Sequence, residues 1–382
     1  MREGWEYKKL GQVCTSDLGK TLNKSKDRGE LHPYLCSINI LWDKIDLSTL
    51  KQACFEAGEQ EKYTVTKGDL LVCEGGDTGR SAIWDRDETI LYQNALHRLR
   101  FHESVFPKFV LFYLMYLKDI GEIDNKYSKG VTIKHLVKKA LLSIPLPLPP
   151  KPTQLSIVSE LDKLNELIQI KKEQLKDYDA LAQSIFYEMF GDPVEEGWDV
   201  KELGDICKTS SGGTPSKAHT EYYNGEIMWL RSGEVSQGDI YNTEQTITLL
   251  GLENSSAKIF PVNTVVIAMY GATVGQVGIL RKEMSTNQAI CGIFPNEDLT
   301  PEYLYYFLIS KKAEFLKSAI GGAQANISQQ IIRKTLIPLP PLSLQSSFTC
   351  KIRQIKLQKA AVQSTITDLE TLLAARMQYW FD

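Results

Sequence analysis

The sequence predicts a mixed α/β (α+β) protein in which two tandem globular domains are separated by long α-helices. Three observations support this fold class. Two long stretches carry apolar residues at heptad spacing, which is typical of coiled-coil helices. One half of the chain repeats the other at an offset of 191 to 194 residues. Short β-branched runs that end in glycine turns predict strands within each globule.

The first long helix is predicted from Thr153 to Phe190. Prolines at positions 149, 150 and 152 precede it, and Gly191, Asp192 and Pro193 follow it as C-terminal breakers. Its ten inner heptad positions, nine of them apolar, are Ile157, Leu161, Leu164, Ile168, Lys171, Leu175, Tyr178, Ala182, Ile185 and Met189. An apolar seam of this length needs a partner helix to bury it.

The predicted partner is a second helix at residues 343–380, which also follows a proline run. Its inner positions are Phe348, Ile352, Ile355, Lys359, Val362, Ile366, Leu369, Leu373, Arg376 and Trp380. Two unrelated amphipathic helices, each packed on its own globular core, would give a similar pattern. Equal register, length and proline lead-in favour an antiparallel two-helix coiled coil instead. Its interface is expected to include Leu161, Leu164, Ile168, Leu175, Tyr178 and Ile185 with Ile352, Ile355, Val362, Ile366, Leu369 and Leu373.

The internal repeat also covers the globules. Residues 4–21 read GWEYKKLGQVCTSDLGKT, and residues 197–214 read GWDVKELGDICKTSSGGT. Further matches pair residues 68–72 with 262–267, 92–96 with 286–290, 109–114 with 303–308 and 129–133 with 322–327. The chain is therefore predicted to run globule, helix, globule, helix, with segments 1–150, 151–192, 193–341 and 342–382.

Composition narrows the class of protein. The 382 residues are 43% hydrophobic and 24% charged, with a formal net charge of −3, so no overall positive charge argues for nucleic acid. The seven cysteines never form a C-x-x-C pair, which argues against a zinc ribbon or a disulfide scaffold and favours a reducing cytoplasm. Since no apolar run approaches the ~20 residues that span a bilayer, we expect a soluble, cytoplasmic protein.

Catalytic motifs are missing from the sequence. Gly19-Lys20-Thr21 is not a phosphate-binding loop, because Thr15 occupies the position five residues before the lysine where that loop needs glycine. The stretch from Gly271 to Gly275 could form a backbone nest for phosphate, but a turn with positive φ is favoured. No Asn-Pro-Pro-Tyr type motif is present to hold a flipped base, and the five histidines are dispersed, so neither a methyltransferase site nor a metal site is expected.

Several motifs carry a resemblance to a known family. They are Gly212–Ser216 (GGTPS), Trp229–Val235 (WLRSGEV), Met269–Thr273 (MYGAT), Asn287–Ala289 (NQA), Glu188–Pro193 (EMFGDP), Ile144–Pro147 (IPLP) and Ile337–Pro341 (IPLPP). With them the whole chain resembles the DNA specificity subunit of type I restriction–modification systems. The first globule departs from the pattern at Gly19-Lys20-Thr21-Leu22 and Gly76-Asp77-Thr78, so its assignment depends on the internal repeat.

The resemblance implies a non-catalytic subunit with two target-recognition domains. Each domain would read one short half of a bipartite target in double-stranded DNA. The expected partners are two modification subunits and the restriction subunits, which would use S-adenosylmethionine, ATP and Mg²⁺; this chain would need no cofactor of its own. Two alternatives stay open: a recognition module cut from a fused restriction–methylation enzyme, and a coiled-coil scaffold that binds only protein.

The DNA contacts are predicted from polarity, loop placement and repeat equivalence. In the first globule they are Lys20, Lys24, Lys26, Arg28, Arg80, Lys129, Thr132 and Lys134. In the second they are Thr214, Ser216, Lys217, Arg231, Tyr270, Thr273, Gln324 and Asn326. Arginine suits guanine and asparagine or glutamine suits adenine in the major groove. Because neither globule is strongly basic, we expect a partner subunit to supply much of the phosphate binding.

Overall fold

The computed structural model describes residues 4–23, 27–130, 134–191, 196–318 and 326–382, excluding the side chains of Ser236 and Gln237. Its internal contacts divide the chain into two compact units, Met1–Lys172 with Ser364–Asp382 and Glu173–Gln363. These units do not coincide with the four predicted segments. Each unit contains one globule together with half of each long helix. Among the described residues, none of the helices combines the length and apolar composition that crossing a bilayer requires.

The first unit is built on small sheets, one of them mixed and the others antiparallel, and a buried helix. Its strands are β1 Glu6–Lys9, β2 Cys14–Leu18, β3 Glu30–Leu35, β4 Ile40–Leu41, β5 Lys44–Ile45, β6 Lys51–Phe55, β7 Thr64–Val65, β8 Leu70–Cys73, β9 Ser81–Ile83, β10 Ile90–Tyr92, β11 Leu96–Phe101 and β12 Pro145–Leu148. Its helices are α1 Ala57–Lys62, α2 Pro107–Asp119, α3 Lys138–Ser143 and the beginning of α4 Lys151–Phe190. The sheet orders are β6-β3-β10-β7, β2-β11-β8-β9, β1-β12 and β4-β5.

The second unit has the same plan. Its strands are β13 Val200–Glu202, β14 Thr209–Ser211, β15 Tyr223–Leu230, β16 Gly238–Ile240, β17 Gln245–Ile247, β18 Ile259–Phe260, β19 Val265–Ala268, β20 Val277–Leu280, β21 Met284–Thr286, β22 Ile290–Ile293 and β23 Leu336–Pro338. Its helices, besides half of each long one, are α5 Leu203–Ile206, α6 Leu249–Glu253, α7 Pro301–Ser310, α8 Lys312–Ser318 and α9 Gln329–Arg333, and the last helix of the chain is α10 Leu342–Phe381. The sheet orders are β17-β15-β21-β18, β14-β22-β19-β20-β16 and β13-β23.

The sheet orders confirm the internal repeat. Strands β6, β3, β10 and β7 of the first unit take the places of β17, β15, β21 and β18, and β2, β11, β8 and β9 take those of β14, β22, β19 and β20. In both units a parallel pair lies at the centre of one four-stranded sheet, β3 with β10 and β15 with β21, while the other neighbours in that sheet are antiparallel. The two halves therefore share the order of these strands, while β16 is added to one sheet of the second unit and the β4-β5 pair to the first unit.

A strand buried on both faces lies at the centre of each globule. Leu70 and Val72 of β8 belong to the cluster that packs against α2, whereas Leu71 and Cys73 face the cluster of the β6-β3-β10-β7 sheet. Successive side chains of a strand point to opposite faces, so a continuous apolar run can serve two cores at once. β19 does the same in the second unit, with alternate residues in two clusters.

The long helices pack antiparallel in each unit. In the first unit Glu160 binds Arg376, and Lys172 lies 2.7 Å from Glu370. The second pair is later in α4 but earlier in α10, so the two helices run in opposite directions. In the second, Asp179 binds Lys359, and the rings of Phe186 and Phe348 are 5.7 Å apart. The seam positions that are buried are Ile157, Leu161, Ile168, Ala182, Phe348, Ile352, Ile355, Val362, Ile366 and Leu373.

The same helices are also fastened to the globules. Phe381 at the end of α10 packs its ring against Phe109, Tyr113 and Tyr116 of α2, at 5.4 to 5.8 Å. A buried glutamine anchors the start of each long helix. Gln154 accepts a hydrogen bond from the Phe106 amide and donates to the carbonyls of residues 104 and 149. Its repeat equivalent Gln345 makes the corresponding bonds to residues 300, 298 and 340. Full use of both amide ends explains how these polar groups tolerate burial.

Candidate nucleic-acid interface

An open cleft of about 550 Å³ lies in the second unit, beside the ends of β15 and β17. Its lining is polar and aromatic: Thr214, Lys217, Thr220, Tyr223, Asn224, Trp229, Arg231, Gln245, Thr246, Asn287 and Gln288. Three of the predicted DNA contacts, Thr214, Lys217 and Arg231, are therefore brought together here. The charged lining residues, Lys217 and Arg231, are cationic, and the amides and hydroxyls around them can donate or accept hydrogen bonds.

The Gly-Gly-Thr motif forms one edge of the cleft. The amides of Gly212 and Gly213 donate to the carbonyls of Ile290 and Thr286, at 3.2 and 2.9 Å. A Cβ on Gly213 would lie 2.2 Å from the backbone nitrogen of Ala257, so the close approach of two backbones requires glycine. This packing places Thr214 at the rim, where its hydroxyl donates to the side-chain oxygen of Gln288.

An aromatic pair supports the wall of the cleft. Trp229 is buried, and its indole N–H donates to the carbonyl of Gly213 at 3.0 Å. The ring of Tyr223 meets it edge-on at 5.9 Å, and the Tyr223 hydroxyl donates to the carbonyl of Pro215 at 2.5 Å. Since both polar ends are satisfied within the protein, these rings fix the shape of the cleft and hold the loop that carries Ser216 and Lys217, both of which are exposed.

Arg231 belongs to a three-residue cluster of charges. Glu234, buried to 5% exposure, accepts the backbone N–H of Arg231 at 2.9 Å and the backbone N–H of Glu244 at 2.7 Å. The Arg231 guanidinium in turn donates through Nη2 to the carboxylate of Glu244. The side chains of Arg231 and Glu244 are 39% and 67% exposed, so the buried carboxylate fixes two backbone positions whose charged ends reach solvent.

The Met-Tyr-Gly-Ala-Thr motif forms a turn, in which the amides of residues 274 and 275 are bound to protein carbonyls rather than free for a phosphate. Gly271 and Gly275 have φ of 73° and 76°, which confirms the prediction of a turn with positive φ. Tyr270 is 43% exposed, accepts a hydrogen bond from the Thr273 hydroxyl at its carbonyl, and pairs with Asn326 through an isolated β-bridge. Tyr270, Thr273 and Asn326 are therefore neighbours on one edge of the second unit.

The first unit uses the equivalent of the Gly-Gly-Thr motif differently. Lys20 takes the place of Gly213, since its amide donates to the carbonyl of Tyr92 as that of Gly213 donates to Thr286. Its side chain turns inward and is 3% exposed, with the ammonium 2.7 Å from Glu59 and 3.3 Å from Asp27. Burial opposes this charge, but the bonds to Glu59 and Asp27 outweigh it and raise the pKa of Lys20. The structure therefore favours a stabilising role for Lys20 over contact with DNA.

The remaining predicted contacts of the first unit differ in accessibility. Arg28 and Lys129 are exposed. Arg80 donates to the carbonyl of Ser37 at 2.8 Å, and Lys134 donates to the carbonyl of Asp124 at 3.0 Å, so both also hold neighbouring loops in place. Four predicted contacts, Lys24, Lys26, Thr132 and Gln324, lie outside the described residues.

Several residues of the cleft were absent from the predicted set. They are Thr220, Tyr223, Asn224, Trp229, Gln245, Thr246, Asn287 and Gln288. Asn287 and Gln288 belong to the Asn287–Ala289 motif, and their side chains suit base edges. Thr220 precedes β15, and the others come from β15 and β17, whose antiparallel pairing brings residues 223–229 and 245–247 together. That pairing was the missing information, since local polarity alone does not separate these positions from an ordinary exposed strand.

The site has no feature of a metal centre. The described part of the chain holds no cluster of three or more His, Cys, Asp or Glu side chains arranged to ligate a metal ion. The groups that the cleft offers are hydrogen-bond donors and acceptors on a rigid frame, which suit binding of a polar, anionic molecule.

Comparison with known proteins agrees with this geometry. The family model of the type I restriction modification DNA specificity domain matches twice, at residues 2–177 and 195–352. The MjaIX type I restriction enzyme specificity subunit of Methanocaldococcus jannaschii is 31% identical over 152 residues, which are 38% of this chain and 35% of that protein. The MjaVIII specificity subunit of the same organism is 23% identical over 92% of this chain and 86% of its own length. The chain thus spans about a third of the first relative's length and most of the second's.

A solved structure shares the fold. It comes from work on complex assembly and conformational transition of the type I R-M system, and the two chains superpose with a TM-score of 0.66 at 20% identity, over 100% of this chain and 98% of the other. At this identity the likeness concerns the fold alone. The two matches of the family model cover one globule each and together most of the sequence, so the chain belongs to the family of type I restriction modification DNA specificity domains.

Proposed function

We propose that this chain is the sequence-specific DNA-binding subunit of a type I restriction–modification complex. Each globule would read one half of a bipartite target in double-stranded DNA. The observation that carries the proposal is the double match of the family model, once on each of two units that share one sheet topology. The open cleft of the second unit, with its cations, amides and hydroxyls, offers the groups that read base edges and phosphates.

The two halves of the target should differ in sequence. Leu230 and Leu35 occupy equivalent positions on the central parallel pairs, so Arg231 of the second unit corresponds to Cys36 of the first. Cys36 is buried and its amide donates to Asn39 at 2.9 Å, as that of Arg231 donates to Glu234. The same backbone position therefore presents a guanidinium in the second unit and an uncharged side chain in the first.

We propose further that the chain is non-catalytic and works in the cytoplasm with modification and restriction subunits. Those partners, with two modification subunits per complex, would supply methylation from S-adenosylmethionine and cleavage driven by ATP and Mg²⁺; this chain would bind none of these cofactors. Support comes from the relatives, which are specificity subunits of type I restriction enzymes. The absence of a methyltransferase motif from the sequence agrees with this division of labour.

The proposal is tested with the purified chain and its modification subunit. The complex is incubated with S-adenosylmethionine and a library of random duplexes, and the methylated molecules are sequenced. We expect one bipartite motif, with two short specific halves separated by a gap of unspecific sequence. Methylation without any sequence preference, or binding only to protein partners, would refute the proposal and favour a scaffold.

A further inference from the structure

Arg231 and Glu244 form an oriented pair at the mouth of the second unit's cleft. Their backbones are tied to the same buried carboxylate, Glu234, at 2.9 and 2.7 Å. Because Glu234 holds both ends, the two side chains project from fixed points, although they come from different segments of the chain. Arg231 lines the main cleft and Glu244 the shallow depression next to it, so the pair spans the boundary of the two.

The guanidinium keeps free hydrogen-bonding capacity. Its Nη2 donates to Glu244, while Nη1 makes no hydrogen bond to the described part of the chain. The inner Nε is buried without a hydrogen-bond partner among the described residues and lies 3.7 Å from Glu234. An arginine has five N–H donors in a planar fork, so the outward ones can still bind two acceptors side by side.

The pair matches the major-groove edge of one base pair. Guanine presents two acceptors there, N7 and O6, which suit the fork of an arginine, and cytosine presents the N4 amino group, which suits a carboxylate. Arg231 and Glu244 are adjacent, opposite in charge and both exposed, and the two edges of a G·C pair are adjacent and opposite in hydrogen-bonding sense.

We propose that Arg231 and Glu244 together read one G·C base pair in the half-site of the second unit, with Arg231 on guanine and Glu244 on cytosine. This inference rests on the proposed function. Glu234 is the positioning residue of the pair, since it contacts the two backbones and is itself buried. The carboxylate of Glu244 also explains the choice of base, because it finds no donor on thymine, whose major-groove edge offers an acceptor and a methyl group.

The first unit lacks this reading pair. At the corresponding loop, Cys36 takes the place of Arg231 and Asn39 that of Glu234, and the Asn39 amide donates to the carbonyl of Asp46 and the hydroxyl of Thr49. The proposal therefore assigns the G·C pair to one half of the target. A substitution of the pair should leave the half read by the first unit unchanged.

The test uses the complex with the modification subunit and the random-duplex library. Arg231→Ala and Glu244→Gln are each compared with the wild type, position by position, in the methylated motif. We expect both substitutions to relax the same G·C position of one half-site, by roughly 5- to 100-fold in preference, and to leave the other positions intact. Lys311→Ala is the matched control, because Lys311 and Glu314 form a similarly exposed ion pair at 2.7 Å in the same unit.

Three results would overturn the inference. The first is a wild-type motif that Arg231→Ala leaves unchanged. The second is relaxation of different positions by the two substitutions. The third is a uniform loss across all sequences, which is the mark of a phosphate contact. If Arg231→Ala fails to fold in a thermal melt, Arg231→Lys replaces it, since lysine keeps the charge but not the fork and should relax the same position. A wild-type complex without any bipartite motif would instead refute the proposed function itself.

Discussion

Single residues explain why one motif differs between the two units. At Gly213 the direction of a side chain is blocked by the backbone of residues 256 and 257, whereas at the equivalent Lys20 a side chain extends inward to Glu59. The amide bonds of the two residues are the same. This backbone position therefore accepts either a glycine or a residue whose side chain has a buried partner. The neighbouring loop determines which of the two residue types fits.

Gly213→Ala should destabilise the protein. The new Cβ would lie 2.2 Å from the nitrogen of Ala257, so the backbone must move, at a cost of about 1–3 kcal/mol or more in the free energy of unfolding. Thermal unfolding of the full chain measures the loss. Gly233→Ala is the control, because a Cβ there meets nothing within 4 Å and should change stability by less than about 0.5 kcal/mol. Equal melting temperatures for the two variants would contradict the packing argument.

His97 of β11 is a second residue with an energetic consequence. It is fully buried, and one ring nitrogen lies 2.8 Å from the carbonyl of Leu136 while the other has no partner among the described residues. Burial lowers its pKa below the usual 6.5, and the bond to Leu136 only partly opposes this. The folded state therefore keeps the ring neutral with its N–H donated to Leu136.

The stability of the first unit should fall in mild acid. Below about pH 6.5 the unfolded chain binds a proton at His97 that the folded chain excludes until its own lower pKa is reached, so unfolding is favoured across that window. Melting temperatures at pH 7.5 and 5.5 measure the effect. His97→Gln, which can still donate to Leu136, should reduce the difference between the two pH values. His102→Gln, at an exposed position, should not, and an unchanged difference in His97→Gln would disprove the assignment.

The positions of individual site residues were predictable from the sequence to different degrees. Arg231 was selected for its polarity and its loop placement, and it does line the cleft. Lys20 was selected from a basic stretch, yet its charge is buried against Glu59, which lies 39 residues further along the chain. Glu244 was missed for a similar reason, since its link to Glu234 depends on a loop that folds back. Such partners arise from tertiary contacts that no local window contains.

At the level of elements, the long helices were the most predictable part. Their predicted limits, 153–190 and 343–380, differ by at most two residues from α4 Lys151–Phe190 and α10 Leu342–Phe381. Heptad spacing acts over many turns, and prolines and glycine define the ends. The seam does not account for every buried position, however. Phe186, Phe190 and Phe381 are buried outside it, because the helices also pack on the globules.

Ile352→Ala should weaken the second unit. Ile352 is fully buried on α10, within the cluster that includes Phe348 and Ile355. Removal of its outer carbons loses burial and leaves a cavity, which costs about 2–5 kcal/mol in the free energy of unfolding. Leu357, 66% exposed on the same helix, provides the control, and Leu357→Ala should cost little. Urea unfolding compares them, and similar midpoints would argue against a buried seam at Ile352.

The strands were predictable as a class but not in their pairing. Apolar runs such as 70–72 and 264–268 indicated strands, and they proved to be central ones buried on both faces. The order of the strands, including the central parallel pairs β3 with β10 and β15 with β21, has no local signature. The repeat gave one constraint that a single globule would lack, because matching sequence segments had to occupy matching places in both sheets.

At the scale of the whole molecule, the duplication keeps the strand order constant while the side chains of the loops differ. The same strand order recurs in both units, while the loops beside β3 and β15 carry different side chains, Cys36 and Asn39 against Arg231 and Glu234. A duplicated frame with unlike reading loops suits a target whose halves are unlike. The charge of the chain, by contrast, does not favour strong binding to phosphates. The second globule, residues 195–341, holds 12 Lys and Arg against 16 Asp and Glu.

DNA binding by the chain alone should therefore depend weakly on salt. Each phosphate neutralised by a cation releases counterions, so the slope of log K against log salt reports the number of such contacts. The net charge is −3, and two of the predicted contacts, Lys20 and Arg231, are already bound to carboxylates, so we expect the chain to make few phosphate contacts of its own. We expect a slope shallower than about −3 for the chain alone, and about −6 or steeper with the modification subunit. Fluorescence anisotropy on the specific duplex measures both salt slopes over a roughly sixfold range of KCl, from about 50 to 300 mM. A duplex altered in one half-site serves as the control. A slope for the isolated chain as steep as that of the complex would mean that this subunit itself makes the phosphate contacts.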